Sequence, residues 1–186
     1  MTAIKPNTID TERTNRRIFF ALWPDVSVAE ALHQTADTCA RLEGGRPMDK
    51  DSLHITLAFL GHITDSRIEE ARMVAGRIRQ RAFDLEVDKV DYWPHNHILW
   101  AGCSRPPPAL LNLAEVLQTQ LRTAGFKVEP RQFTPHVTLL RNCPQGTSAP
   151  LPQALLWKAR EFVMVESRPE AGAARYTQIG RWSLAT

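Results

Sequence analysis

The residues best suited to chemistry are His54-Ile55-Thr56-Leu57 and His136-Val137-Thr138-Leu139, two copies of one pattern: histidine, a β-branched residue, threonine, leucine. At average residue frequencies such a tetrapeptide arises by chance at about one position in ten thousand. Each copy lies in an apolar run and reads as a strand, where successive side chains point to opposite faces. His54 and Thr56 therefore share one face, with Ile55 and Leu57 behind them. His136 and Thr138 share another, backed by Val137 and Leu139. Near neutral pH an imidazole takes up or gives up a proton, and a threonine hydroxyl donates to an anionic oxygen. Two such pairs brought together would surround one tetrahedral group with two imidazoles and two hydroxyls, and a phosphodiester fits that arrangement. A single histidine is more often a satisfied structural residue. The repeated threonine at the same offset tips the reading toward a site. Zinc sites want three or four protein ligands, and the chain has no HxxxH, CxxC or HExxH spacing, so no metal is expected.

The elements that must position these pairs follow from hydrophobic periodicity. Residues 17–23, aromatic and apolar before Pro24, predict a buried strand in which Phe19 and Phe20 are core, with one of them free to face the cleft. An amphipathic helix follows over 25–42, and Gly44-Gly45-Arg46-Pro47 breaks the chain before the first His-Thr strand. A second helix is predicted over 67–81, capped at Thr64 or Asp65, with its arginines on a solvated face. Strands over 83–90 and 97–102 make a hairpin turned at 94–96, where His95 and His97 read as surface residues. Prolines 106–108 open a third helix that ends at Gly125, ahead of the second His-Thr strand. Residues 142–153, rich in proline, are expected to be a loop, and strands over 161–166 and 175–182 close the chain. Each half thus holds a strand or hairpin, a helix and a His-Thr strand, a diverged internal repeat. The predicted fold is α+β: two sheet lobes related by pseudo-two-fold symmetry, helices on the outside, and a central cleft lined by the two HxTx strands.

With 186 residues, 43% of them hydrophobic and 23% charged, the chain has the make-up of one globular domain. Residues 1–16 read as a flexible amino-terminal tail and 17–186 as a single bilobal domain. A net charge of +3 suits a phosphate-bearing ligand without demonstrating a nucleic acid partner. Three cysteines in no paired motif argue against a disulfide framework, and no apolar run has the length of a membrane span. The expectation is a cytoplasmic monomer with no membrane association.

Taken together these residues resemble the 2H phosphoesterase superfamily, and within it the bacterial RNA 2′,3′-cyclic phosphodiesterase, or 2′-5′ RNA ligase, family. The resemblance runs from Arg17 onward. It takes in Arg17-Ile18-Phe19-Phe20-Ala21-Leu22, Gly45-Arg46-Pro47, Ala58-Phe59-Leu60-Gly61, Pro135, Arg141 and Ala174-Arg175-Tyr176 as well as the two tetrapeptides. The chain departs in its longer polar amino terminus and in Trp23, where a smaller or acidic residue is common. The resemblance implies hydrolysis of RNA 2′,3′-cyclic phosphodiester ends to a 2′-phosphomonoester, with possible reversal as 2′-5′ ligation. It implies His54 as proton donor, His136 as proton acceptor and no cofactor. Thr56 and Thr138 would hold the non-bridging oxygens. The implied partner is an RNA with a 2′,3′-cyclic phosphate end or a related nucleotide. Arg141 is implied as a ligand contact, although strand parity turns it away from His136. A terminal base is expected to rest on an aromatic such as Phe20 or on an arginine plane. A small cyclic nucleotide or a 2′-5′ oligonucleotide as substrate, and a non-catalytic RNA- or nucleotide-binding module, stay open as alternatives.

Overall fold

The computed structural model describes residues 15–130, 132–170 and 173–185. Of the expected tail, residues 1–14 lie outside the described residues, and Arg16 already begins a strand. In chain order the elements are β1 (Arg16–Leu22), α1 (Val26–Glu43), β2 (Arg46–Pro47), a 3₁₀ turn (Lys50–Ser52), β3 (Ile55–Ile63), α2 (Asp65–Ala75), β4 (Phe83–Trp93), β5 (Ile98–Gly102), α3 (Pro108–Thr123), β6 (His136–Arg141), β7 (Ala149–Ala159), β8 (Glu161–Glu170) and β9 (Ala173–Ser183). The strands form one antiparallel sheet in the order β7-β4-β5-β6-β3-β1-β8-β9, with β2 added on β6. The two expected lobes are the two halves of this sheet. They meet where β3 pairs with β6 through Ile55 and Val137.

Alternation along the strands separates the two faces. Ile18, Phe20 and Leu22 of β1, Ile55 and Leu57 of β3, and Val137 and Leu139 of β6 join Leu32 of α1, Ile68 of α2 and Leu117 of α3 in one buried cluster. All three helices therefore cover the same face of the sheet. Each fully buried aliphatic side chain there contributes about 1.5–3 kcal/mol by leaving water. The crossovers tie the halves together: α1, which follows β1, packs on β6 of the opposite half, and α3 packs on β3. The face away from the helices carries His54, Thr56, His136 and Thr138 at its centre.

Local chemistry accounts for most boundaries. Asp25 caps α1 by accepting from the Val28 N–H at 2.9 Å, and Gly44, at φ 76°, ends it. Helix α2 stops at Ala75, short of the expected residue 81. Gly76 breaks its propagation, and Ile78 reaches the core from the segment that follows. The largest correction concerns 142–153, expected as a loop, where β7 begins at Ala149 and pairs with β4. Its prolines are compatible with a strand because β7 is the sheet edge and its register with β4 shifts beside them. Among the described residues no helix is long and apolar enough to cross a membrane.

One buried charge stabilises the amino-terminal end of the sheet. Glu166, 4% exposed, accepts from Arg16 Nη2 at 2.6 Å and from Arg168 Nε at 2.9 Å, and Arg16 also reaches Asp65 of α2 at 3.2 Å. The hydrogen bond from Arg16, more than that from Arg168, holds this carboxyl at about 2. A carboxylate whose pKa is depressed in the fold contributes stability above its unfolded value of about 4.3 and loses it as pH falls toward the folded value. Glu166→Gln is therefore expected to lower unfolding stability by about 2 kcal/mol at pH 7. In urea titrations that deficit should shrink as pH is lowered from 5 to 2; a deficit independent of pH would contradict the charged pairing.

Candidate active site

The antiparallel register that joins Ile55 to Val137 sets His54 beside Thr138 and Thr56 beside His136, all on the face away from the helices. The arrangement has its own two-fold relation, with each histidine next to the threonine of the other motif. Both rings are held in the same way. His54 Nδ1–H donates to the Ser52 carbonyl at 2.7 Å, and His136 Nδ1–H donates to the Thr134 carbonyl at 2.8 Å. A carbonyl oxygen can only accept, so each Nδ1 carries hydrogen and each Nε2 is left to exchange protons. Both motifs line one cleft of about 810 Å³.

Arg141 lines the same cleft, and the sheet shows how it escapes strand parity. On β6 the register with β5 passes from Trp100↔Thr138 to Leu99↔Leu140, leaving Leu139 as an extra residue. This β-bulge reverses the alternation, so Leu139 and Leu140 are both buried and Arg141 emerges on the histidine face. Strand β3 carries the matching irregularity: its register with β1 passes from Ala21↔Thr56 to Phe20↔Ala58 and leaves Leu57 extra. The displaced carbonyls are both satisfied, Leu57 by Gln118 Nε2–H of α3 at 2.8 Å and Leu139 by the Met48 N–H at 2.8 Å.

Phe59 stands as far beyond His54 as Arg141 stands beyond His136, and it too emerges into the cleft. It is 42% exposed, with the Arg17 guanidinium 4.8 Å from its ring centroid. Phe59 and Arg17 went unassigned in the sequence, although both lie in quoted motifs. Phe20 is core as expected, fully buried on the helix face beside Phe162 and Trp182, so it does not offer the cleft a rest for a base; Phe19 is the residue of the pair that lines the cleft. His95 and His97 are both exposed, as surface residues would be, and His95 also lines the cleft.

A family model described as LigT-like phosphoesterase matches residues 22–100 and 103–172. The chain belongs to the LigT-like phosphoesterase family. It is 35% identical over 171 residues to the RNA 2′,3′-cyclic phosphodiesterase of Escherichia coli strain K12, covering 91% of this chain and 97% of that protein. The crystal structure of E. coli LigT in apo form matches with a TM-score of 0.86 at 34% identity, over 92% of this chain and 99% of the other. E. coli LigT complexed with 3′-AMP matches with a TM-score of 0.84 at 33% identity, over 92% and 99%.

In this LigT-like phosphoesterase each histidine rests on an aromatic bed. Trp23 stacks on His54 with centroids 5.0 Å apart and planes 6° apart, Phe19 lies at 4.9 Å, and Tyr176 meets the ring edge-on at 5.3 Å. Trp93 and Trp100 support His136 at 4.6 and 6.1 Å. Gly102, opposite His136, leaves room for this packing, since a Cβ there would lie 2.6 Å from the Trp100 ring. Burial pushes the His54 imidazole down to about 4, and the charges of His136 and Arg141 add to the lowering. His54 is therefore neutral at pH 7 in the open cleft. A phosphate between the histidines favours the imidazolium and raises this pKa. NMR titration of the His54 ring should give a midpoint near 4 in the free protein, moving upward with inorganic phosphate and upward in Trp23→Ala, which wets the ring. A midpoint near the ordinary value of about 6.5 in the wild type would contradict the burial argument.

Proposed function

We propose that this phosphoesterase opens the 2′,3′-cyclic phosphodiester at the end of an RNA with water, giving a 2′-phosphomonoester, by acid–base catalysis from two histidines without a metal. The observation that carries the reading is the matched pair of Nδ1–H bonds to backbone carbonyls, which leaves two Nε2 atoms serving one cleft across a pseudo-two-fold axis. Cyclic phosphodiesterase activity on RNA is also the activity for which the 35% identical E. coli relative is named.

In this reading the cyclic phosphate sits between the motifs with its non-bridging oxygens on the hydroxyls of Thr56 and Thr138. Arg141 and the hydroxyls balance the charge that develops in the transition state. His136 Nε2 takes the proton of the attacking water as the new P–O bond forms. The bond from phosphorus to the 3′ oxygen breaks, and His54 Nε2–H supplies the proton to that oxygen. A proton donor must arrive charged, and His54 is neutral in the open cleft. The anionic substrate itself resolves this, because a phosphodiester beside the ring stabilises the imidazolium. The same steps run backward with an RNA 5′-hydroxyl in place of water would form a 2′-5′ linkage, and hydrolysis prevails because water is present at about 55 M. Phe59, presented at the cleft beside the phosphate centre, would stack the terminal base in the place first expected of Phe20.

The test is chelator-treated protein incubated with an RNA ending in a 2′,3′-cyclic phosphate, the product isomer being separated by chromatography. Turnover to a 2′-phosphate is expected, with a bell-shaped pH profile and no loss after EDTA. His54→Ala and His136→Ala should each cut kcat by about 10²–10⁴ while keeping a native circular dichroism spectrum. Near-wild-type rates in either variant would remove that histidine from the mechanism. A 3′-phosphate product would reverse which ribose oxygen leaves, and RNA bound without turnover would favour a binding module.

A further inference from the structure

The two bulges that shape the cleft are held by different means. On β6 the displaced Leu139 carbonyl accepts from the backbone N–H of Met48, just past β2, and β2 itself lies along that edge with Arg46 opposite Arg141 and Pro47 opposite Leu140. Main chain therefore holds main chain. Among the described residues β3 has no such cover: it pairs with β6 only at Ile55, and no further strand takes up its edge where the cleft opens beyond that pair. The displaced Leu57 carbonyl instead accepts from a side chain, Gln118 Nε2–H of α3, at 2.8 Å. Gln118 also lines the cleft.

The β3 bulge decides which way Phe59 points. His54 and Thr56 face the cleft, so unbroken alternation would send Ala58 to the cleft and Phe59 under the helices. With Leu57 as the extra residue, Leu57 and Ala58 are both buried and Phe59 emerges beside the phosphate centre. Arg17 supports the ring from β1: its guanidinium lies 4.8 Å from the Phe59 centroid and donates to Ser167 Oγ at 3.1 Å. Without the Gln118 donor the Leu57 carbonyl would lose its partner, which destabilises the bulged register relative to the regular one.

Building on the phosphodiesterase reading above, in which Phe59 stacks the terminal base, we propose that Gln118 is a positioning residue for base recognition: by holding the Leu57 carbonyl it fixes the bulge that turns Phe59 into the cleft. A role in stability alone would act equally on ligands with and without a base. The experiment is a double-mutant cycle in the full chain, read as KM for an RNA ending in a 2′,3′-cyclic phosphate and for the same RNA with an abasic terminal ribose. Gln118→Met keeps the length and helix propensity of the side chain and removes the donor. It is expected to raise KM about tenfold for the RNA with its base, the scale of a lost base stack, and about twofold for the abasic RNA. In a Phe59→Ala background the same substitution should change KM by less than about twofold for either substrate. Equal effects of Gln118→Met on the two substrates, or an undiminished effect in Phe59→Ala, would overturn the role. Side-chain amide exchange in the wild-type protein tests the contact whether or not a variant folds: one Gln118 Nε2 proton should exchange about tenfold more slowly than those of the exposed Gln153, and equal rates would overturn the role as well. In each of these cases hydrolysis by the wild-type protein leaves the cyclic phosphodiesterase reading standing; no hydrolysis of either substrate overturns both.

Discussion

The contact between Ile55 and Val137 is the constraint on which this molecule depends. Strands β3 and β6 are joined at that pair, and there two four-stranded halves, the β6 half extended by β2, become one sheet. Both side chains are buried under the helices, so the pairing cannot slip by one residue without turning two apolar residues out and two histidines in. The helices reinforce it by crossing over: α1 packs on β6 and α3 on β3, which makes each half part of the other's core. The cleft follows from the same pairing, because antiparallel neighbours at one pair place each histidine beside the threonine of the opposite motif.

The aromatic beds have two consequences for the rings they support. They fix ring orientation, together with the Nδ1–H bonds to Ser52 and Thr134, and they exclude water. For His54 the second effect dominates: burial disfavours the imidazolium. A site made this way holds its charge in reserve until an anion arrives, which ties the proton inventory of the proposed reaction to occupancy of the cleft. Trp23 supplies the flat face of that bed, so it belongs to the electrostatics of His54 as well as to packing.

Matched irregularities shape the rest of the cleft. The bulges at Leu57 and Leu139 each displace a carbonyl that a distant group satisfies, and each re-aims the end of its strand. The repeat preserves the geometry but not the chemistry: one bulge presents the aromatic Phe59, the other the cationic Arg141. Pseudo-symmetric motifs around a single cleft thereby acquire unlike flanks.

Much of this was legible in the chain itself. Period-two alternation placed His54 with Thr56 and His136 with Thr138, and repetition of the pattern announced two related halves; both follow from local backbone geometry and need no knowledge of partners. The helices were legible for the same reason, although α2 stops at Ala75, short of the expected residue 81. What depended on neighbouring strands was not. Arg141 faces the cleft only because β6 bulges against β5, and a bulge is a mismatch of register between two strands that neither sequence encodes alone. Phe19 and Phe20 are equivalent as residues; which of them faces the cleft was settled by which side of β1 the helices cover. Residues 149–153 look like a loop because proline opposes strands in general, and only their place at the sheet edge makes them one. The displaced pKa of His54 belongs wholly to tertiary structure, since Phe19 and Trp23 come from one stretch of the chain and Tyr176 from another, and they exclude water from the ring only once the sheet has brought them against it.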